Sequence, residues 1–156
     1  MMSNQSTINS VPGQILKVKY HHRYMEPLEY IGLGKSDWVD LRVAEELVTL
    51  KAGEYRLISL GVSIELPVGY EAILAPRSST FKKWGILQTN SIGIIDESYC
   101  GDEDVWMFAA YATRDTELHL NDRICQFRII EHQPPLQFVE VEYLENQNRN
   151  GFGSTG

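Results

Sequence analysis

An all-β fold, a jelly-roll-like barrel or sandwich carrying one short helix, is the architecture this sequence predicts. Three observations lead there. Apolar and polar residues alternate over several short stretches, the pattern of strands with one buried face. The stretches run about five residues at spacings of roughly 8–12, with turn signals between them, as in sandwiches and barrels. Only one segment carries helix start and stop signals, and it is short.

The elements follow in order. Residues 14–20 set Ile15, Lys17 and Lys19 against Leu16, Val18 and Tyr20, the period of a half-buried strand. Lys51-Ala52-Gly53-Glu54 reads as a turn. Residues 57–66 resume strand character, with Val62, Ile64 and Leu66 on one face and Ser63 and Glu65 on the other. Pro67-Val68-Gly69 breaks that strand, and 71–75 form another. Ser78-Ser79-Thr80 supplies N-cap hydroxyls, 81–84 one helical turn and Gly85 the stop. Residues 105–112 are nearly all apolar, which predicts a strand buried on both faces. Asn121-Asp122 turns the chain into a strand over 123–130, with Cys125, Phe127 and Ile129 on one face and Ile124, Gln126 and Arg128 on the other. Residues 138–144 alternate again and predict the last strand.

A chain of 156 residues with 43% hydrophobic content builds one domain with a real core. We divide it into a flexible N-terminal arm (1–13), a β domain (14–145) and a flexible C-terminal segment (146–156). Residues 1–10 have neither a basic n-region nor an apolar h-region, so they do not read as a signal peptide. No apolar run approaches the roughly 20 residues that span a bilayer, so no membrane partner is expected. The formal net charge of -7 argues against duplex nucleic acid, which asks for a basic face. It leaves room for a small polyphosphate, gripped by a few local arginines and a divalent cation. Cys100 and Cys125 are too few for a disulfide framework or zinc site, so a reduced, cytoplasmic protein is expected. His21-His22 and His119 lack ligand spacing and read as surface residues. Trp38, Trp84 and Trp106 read as core or subunit-contact residues.

Five segments stand out from a purely structural β protein. Asp40-Leu41-Arg42 by itself is a surface ion pair. Pro76-Arg77-Ser78-Ser79-Thr80 places a guanidinium before three hydroxyls at a helix start, an anion site or an ordinary N-cap. In the stretch from Asn90 to Gly101, Asp96 reads either as a turn former or as a carboxylate that holds and deprotonates a water. Asn121-Asp122-Arg123-Ile124-Cys125-Gln126 reads as a turn with an Asp122–Arg123 ion pair. The tail, Gly151-Phe152-Gly153-Ser154-Thr155-Gly156, sets an aromatic ring between glycines. Its open N–H groups suit an anion and its ring suits a base, so it reads as a lid over a nucleotide or as a plain Gly/Ser tail.

Taken in order and spacing, the five segments resemble the five motifs of the trimeric deoxyuridine triphosphate nucleotidohydrolases (dUTPases), from about Asp37 to Gly156. The stretches PRSST, GIIDESYCG, NDRICQ and GFGSTG carry the resemblance. It implies Mg2+-assisted hydrolysis of dUTP to dUMP and pyrophosphate, which keeps uracil out of DNA and supplies dUMP for thymidylate synthesis. Asp96 matches the carboxylate that activates the water attacking the α-phosphorus. Arg77, Ser78, Ser79 and Gln126 match phosphate-chain contacts, and Arg149 with Ser154 and Thr155 a γ-phosphate clamp. The hairpin through Asn90, Gly93 and Ile95 matches the uracil reader, Tyr99 the residue beneath the deoxyribose, and Phe152, beside Gly153, the ring closing over the base. Asp40 matches a structural position near the metal's water shell, and Asp122 and Arg123 lie near the site. The resemblance implies no direct protein ligand for magnesium, which is held by substrate phosphates and water, and a homotrimer whose sites are shared between subunits.

The chain departs from the family pattern in places. Arg149 stands three residues before Phe152 where relatives have an arginine five before, a position taken here by Gln147. Asn121 replaces the usual glycine but tolerates the same left-handed turn. Cys100 stands where a basic residue is frequent, and Asp102-Glu103-Asp104 reads as a solvated loop. Two alternatives stand beside the hydrolase: a dCTP deaminase-like enzyme, for which Glu97 is the one hint, and a nucleotide-gated trimeric regulatory module.

Overall fold

In the computed structural model, residues 13–32 and 34–153 are described; residues 1–12, most of the expected N-terminal arm, lie outside them, as do Ser154 and Thr155. The described residues form eleven strands and one helix. They are β1 (Lys17–Tyr20), β2 (Val39–Arg42), β3 (Leu47–Leu50), β4 (Tyr55–Ser59), β5 (Val62–Glu65), β6 (Tyr70–Pro76), α1 (Thr80–Trp84), β7 (Ile86–Gln88), β8 (Gly93–Ile95), β9 (Met107–Ala112), β10 (Thr116–His119) and β11 (Arg123–Glu131).

Every ladder is antiparallel, and the pairs nest: β2 with β11, β3 with β10, β4 with β9. A long hairpin rolled on itself has this order, which is the jelly-roll arrangement. The sheets are β2-β11-β6-β8, β4-β9-β7 and the ribbons β1-β5 and β10-β3. Their inward faces enclose Leu41, Ile58, Leu74, Trp106, Phe108 and Phe127, all buried. Trp106 meets Phe127 edge to face, with ring centroids 5.1 Å apart. Trp84 is buried as well, whereas Trp38 is half-buried beneath the Arg128 guanidinium, 5.7 Å from the ring centroid.

The expected turn at 51–54 forms, with the Glu54 N–H donating to Lys51 O at 3.0 Å. Asn121 takes the left-handed conformation expected of it, φ 70°. Helix α1 sits where the sequence places it and ends at Gly85 with φ 66°. Its start differs: the Ser79 hydroxyl does not cap it. Thr80 Oγ1 instead accepts from the Arg77 N–H at 2.9 Å and donates to Ile124 O at 2.7 Å, tying the helix start to β11.

Five strand expectations are corrected. The first strand covers only Lys17–Tyr20. The single strand over 57–66 is split at Gly61, whose φ of 63° breaks the ladder. A Cβ there would stand 2.4 Å from Ala44 Cβ, so the close approach demands glycine. Ser63, expected on a polar face, is buried because β1 covers it; its hydroxyl lies 2.8 Å from His21 Nε2 and donates to Asp102 O. Strand β9 is not buried on both faces in the single chain: Phe108, Ala110 and Ala112 point inward, while Met107 and Tyr111 are exposed. Residues 138–144 form no strand; they are exposed, and no strand among the described residues pairs with them. In β11 a bulge between Arg123 and Cys125 lets Ile124 and Cys125 both bury, so the expected alternation holds only beyond them.

Candidate functional site

The four-stranded sheet gathers three of the five segments at one end. Asp40 on β2 lies opposite Gln126 on β11, which lies opposite Ala75 on β6. Arg77 follows β6 directly. Asp40 Oδ1 is 2.9 Å from Arg77 Nε, and Oδ2 is 3.4 Å from Arg123 Nη1. Arg77 Nη1 donates to Arg123 O at 3.3 Å, and Gln126 Nε2 to Pro76 O at 3.1 Å. Two guanidiniums thus share one carboxylate, leaving a net positive corner in which the Arg77 Nη2 protons take no partner among the described residues. Ser78 is exposed and Ser79 half-buried, and neither hydroxyl takes a partner among the described residues. Burial, then the neighbouring Asp40 charge, pushes the Cys125 thiol well up, so it sits neutral behind this corner. It forms no bridge with the exposed Cys100.

Two expected ion pairs are therefore corrected. Asp40 holds Arg77 and Arg123 rather than Arg42, which reaches Glu26 at 3.1 Å. Asp122 does not hold Arg123; its Oδ2 accepts the His119 N–H at 2.7 Å and closes the β10–β11 turn. Nested pairing brings residues distant in sequence closer than chain neighbours, which no local pattern reveals.

Asp96 lies elsewhere. Strand β8 pairs with β6 through Gly93↔Leu74 and Ile95↔Ala72, so Asp96 stands level with the start of β6. Arg77 stands just past its far end. Six residues of strand at about 3.3 Å each separate the two levels by ~20 Å. The Asp96 side chain is exposed and takes no hydrogen-bond or ion-pair partner among the described residues. Its carbonyl accepts the Tyr99 N–H at 3.0 Å, and Tyr99, 41% exposed, donates its hydroxyl to Val105 O.

The hairpin before Asp96 is tightly made. Ser91 adopts φ 58°, and the Ser91 N–H donates to Gln88 O at 3.3 Å. A Cβ on Gly93 would press within 3.2 Å of Leu74 Cβ, so β8 lies close on β6. Asn90 is exposed at the tip and Ile95 half-buried. Arg149, Phe152 and Gly153 lie far along an exposed segment, 132–153, that leaves β11 without regular structure. The sequence reading overlooked His132, whose Nε2 lies 2.7 Å from Glu97 Oε2; a lone histidine carries no signal when its partner comes from another strand.

A groove of about 650 Å³ between β1, the 28–39 loop and β11 is lined by Leu16, Val18, Tyr30, Val39 and Ile129 and includes none of the candidate residues. Among the described residues no three His, Cys, Asp or Glu side chains converge as metal ligands, and no helix is long and apolar enough to cross a membrane.

Comparison with known proteins settles the family. A family model described as dUTPase matches residues 38–156. The chain belongs to the dUTPase family. The SPbeta prophage-derived deoxyuridine 5'-triphosphate nucleotidohydrolase YosS of Bacillus subtilis (strain 168) is 51% identical over 141 residues, covering 90% of this chain and 97% of that protein. The deoxyuridine 5'-triphosphate nucleotidohydrolase of Finegoldia magna is 37% identical, covering 90% and 99%. Among solved structures, the Staphylococcus bacteriophage 80alpha dUTPase with dUPNHPP superposes with a TM-score of 0.74 at 21% identity, covering 91% of this chain and 98% of that one. The Streptococcus mutans dUTPase gives 0.66 at 22%, covering 77% and 98%. These two similarities bear on the fold, and they match the jelly-roll arrangement of this dUTPase.

Proposed function

We propose that this protein hydrolyses dUTP to dUMP and pyrophosphate, at sites completed between copies of the chain. Family membership and relatives named for this reaction support the chemistry and favour it over the deaminase alternative. The observation that carries the reading is the division along β6. The positive corner of Arg77 and Gln126 and the free carboxylate of Asp96 stand about 20 Å apart in level, too far to act on one α-phosphorus within a single chain. A second copy must bring its Asp96 to the first copy's Arg77.

A cyclic trimer suits this demand. The outer face of β4-β9-β7 exposes Tyr55, Leu57, Leu87, Met107 and Tyr111, an apolar surface suited to subunit contact. The C-terminal arm, the exposed segment 132–153, presents Phe138, Val139, Val141, Tyr143 and Leu144 in a strand-like alternation that a neighbouring subunit can pair. Its end then reaches a third copy's site.

In that assembly Arg77, Ser78, Ser79 and Gln126 take the triphosphate, with the Arg77 fork held ready by Asp40. Asp96 of a neighbour orients a water in line with the α-phosphorus and accepts its proton as the new P–O bond forms. The bond to the bridging oxygen breaks, and pyrophosphate leaves. The hairpin from Asn90 through Gly93 to Ile95 reads uracil's edge, whose donor and acceptor pattern cytosine reverses at position 4. Tyr99 packs beneath the deoxyribose. Phe152 closes over the base, with Arg149, Gly153, Ser154 and Thr155 on the γ-phosphate. A phage phi11 dUTPase is described with a structural Mg(II) ion. Here Asp40 is committed to two arginines, so the residues fit a magnesium brought in by the phosphates and water, which neutralises charge on the triphosphate when bound.

The test is pyrophosphate release from dUTP with and without Mg2+, beside dCTP, dTTP and UTP, for wild type and Asp96→Asn, with solution mass by light scattering. Release from dUTP alone, lost in the variant, by a particle of three chain masses is the expected result. Tight nucleotide binding without release would move the weight to a nucleotide-gated regulatory module.

A further inference from the structure

His132, the first residue beyond β11, and Glu97, the residue after Asp96, meet over the start of β6. The register brings them there: Glu131 faces Tyr70 and Ile95 faces Ala72, so both flanking strands end beside the β5–β6 turn. One carboxylate oxygen, Glu97 Oε2, accepts the Gly69 N–H at 3.1 Å and lies 2.7 Å from His132 Nε2. An ionised carboxylate only accepts, so Nε2 carries the proton. The His132 N–H donates in turn to Gly69 O at 2.9 Å. The His132 bond first, and the Gly69 N–H second, hold the Glu97 carboxyl below the ordinary glutamate range. Three segments of chain thus close on one another through a single side-chain pair.

We propose that Glu97 and His132 are positioning residues for Asp96, a latch that fastens the catalytic turn to the root of the C-terminal arm. The proposal rests on the hydrolase reading above. Among the described residues the Asp96 side chain has no partner of its own, so its place is set by its neighbours. On one side Ile95 is held in the ladder by Ala72. On the other, the Tyr99 N–H closes only a local turn, and Glu97 supplies the tie to the rest of the fold. A bare surface ion pair does little. This one also holds a backbone N–H with the same oxygen, and it sits one residue from a group whose aim decides the rate. His132 begins the segment that carries Arg149 and Phe152, so the same latch sets where the arm departs.

The test compares pyrophosphate release from dUTP by wild type, Glu97→Ala, His132→Ala, the double variant and His132→Gln. Each alanine variant lowers kcat about three- to tenfold with KM nearly unchanged. The double variant is no slower than the worse single, since the pair acts as a unit. His132→Gln, which keeps a side-chain N–H, restores most of the rate. Amide hydrogen exchange over residues 93–99 speeds up in both alanine variants without nucleotide. Melting curves check the fold, and Glu97→Gln stands in where Glu97→Ala fails to melt cooperatively. Wild-type kcat in all variants overturns the proposal, whatever the exchange shows. A wild type that releases no pyrophosphate sinks the hydrolase reading instead, and exchange then decides by itself whether the latch holds the turn.

Discussion

At one end of the four-stranded sheet Asp40, Arg77 and Arg123 hold one another; at the other the carboxylate of Asp96 meets no described side chain. In the proposed reaction the two ends answer different chemical needs. A triphosphate is held best by cations already in place, because nothing then reorganises as charge moves. A group that aims and deprotonates a water needs open lone pairs, which an ion pair would occupy. The same sheet supplies both by crowding charges where three strands meet and leaving its edge strand, β8, to end in a turn.

The largest break in this comparison is Asp96→Asn. It keeps the shape of the turn and removes the base, so kcat falls on the order of 10²–10⁴-fold while nucleotide affinity holds, read by pyrophosphate release and by titration with a non-hydrolysable analogue. Arg77→Ala strikes the preassembled end. It leaves Asp40 to Arg123 alone, and kcat/KM falls by about 10²-fold; Arg77→Lys recovers little, because an ammonium does not reproduce the fork. Ending the chain after Glu145 removes the arm's tip but touches neither end of the sheet. An unchanged melting temperature and a loss of about tenfold in kcat/KM are expected.

The smallest effect sharpens the Asp96 end. Glu97, through His132 and the Gly69 N–H, and Asp115, through the Ala52 N–H and Lys51, are held below their ordinary carboxylate values. A carboxyl depressed in the folded state lends stability that is present above its ordinary value and lost as pH falls through the folded one. The melting temperature of wild type therefore declines below about pH 4.5, and Glu97→Gln declines less steeply, read by calorimetry over a pH series.

Much of the fold was readable locally. The 51–54 turn, the left-handed Asn121 and the helix stop at Gly85 depend on a few adjacent residues. The misreadings depended on what lies across the sheet. Ser63 looked solvent-facing until β1 covered it, and the alternation at 138–144 forms no strand because it finds no pairing partner among the described residues. In the candidate site, Asp96, Arg77 and Gln126 were readable as residue types in order. The Asp40 sharing and the Glu97–His132 contact were not, since both join strands far apart in sequence.

By itself, then, the sequence determined the chemistry available: an arginine before hydroxyls, a carboxylate in a glycine-flanked turn, an aromatic tail, and a strand-forming rhythm. The tertiary structure decided which of these groups meet. Nested pairing, driven by burial of Leu41, Trp106, Phe108 and Phe127, puts Asp40, Arg77 and Gln126 at one end of β6 and Asp96 at the other. Conformational preferences act over a few residues, whereas the choice of strand partner is made by covering apolar faces from distant parts of the chain.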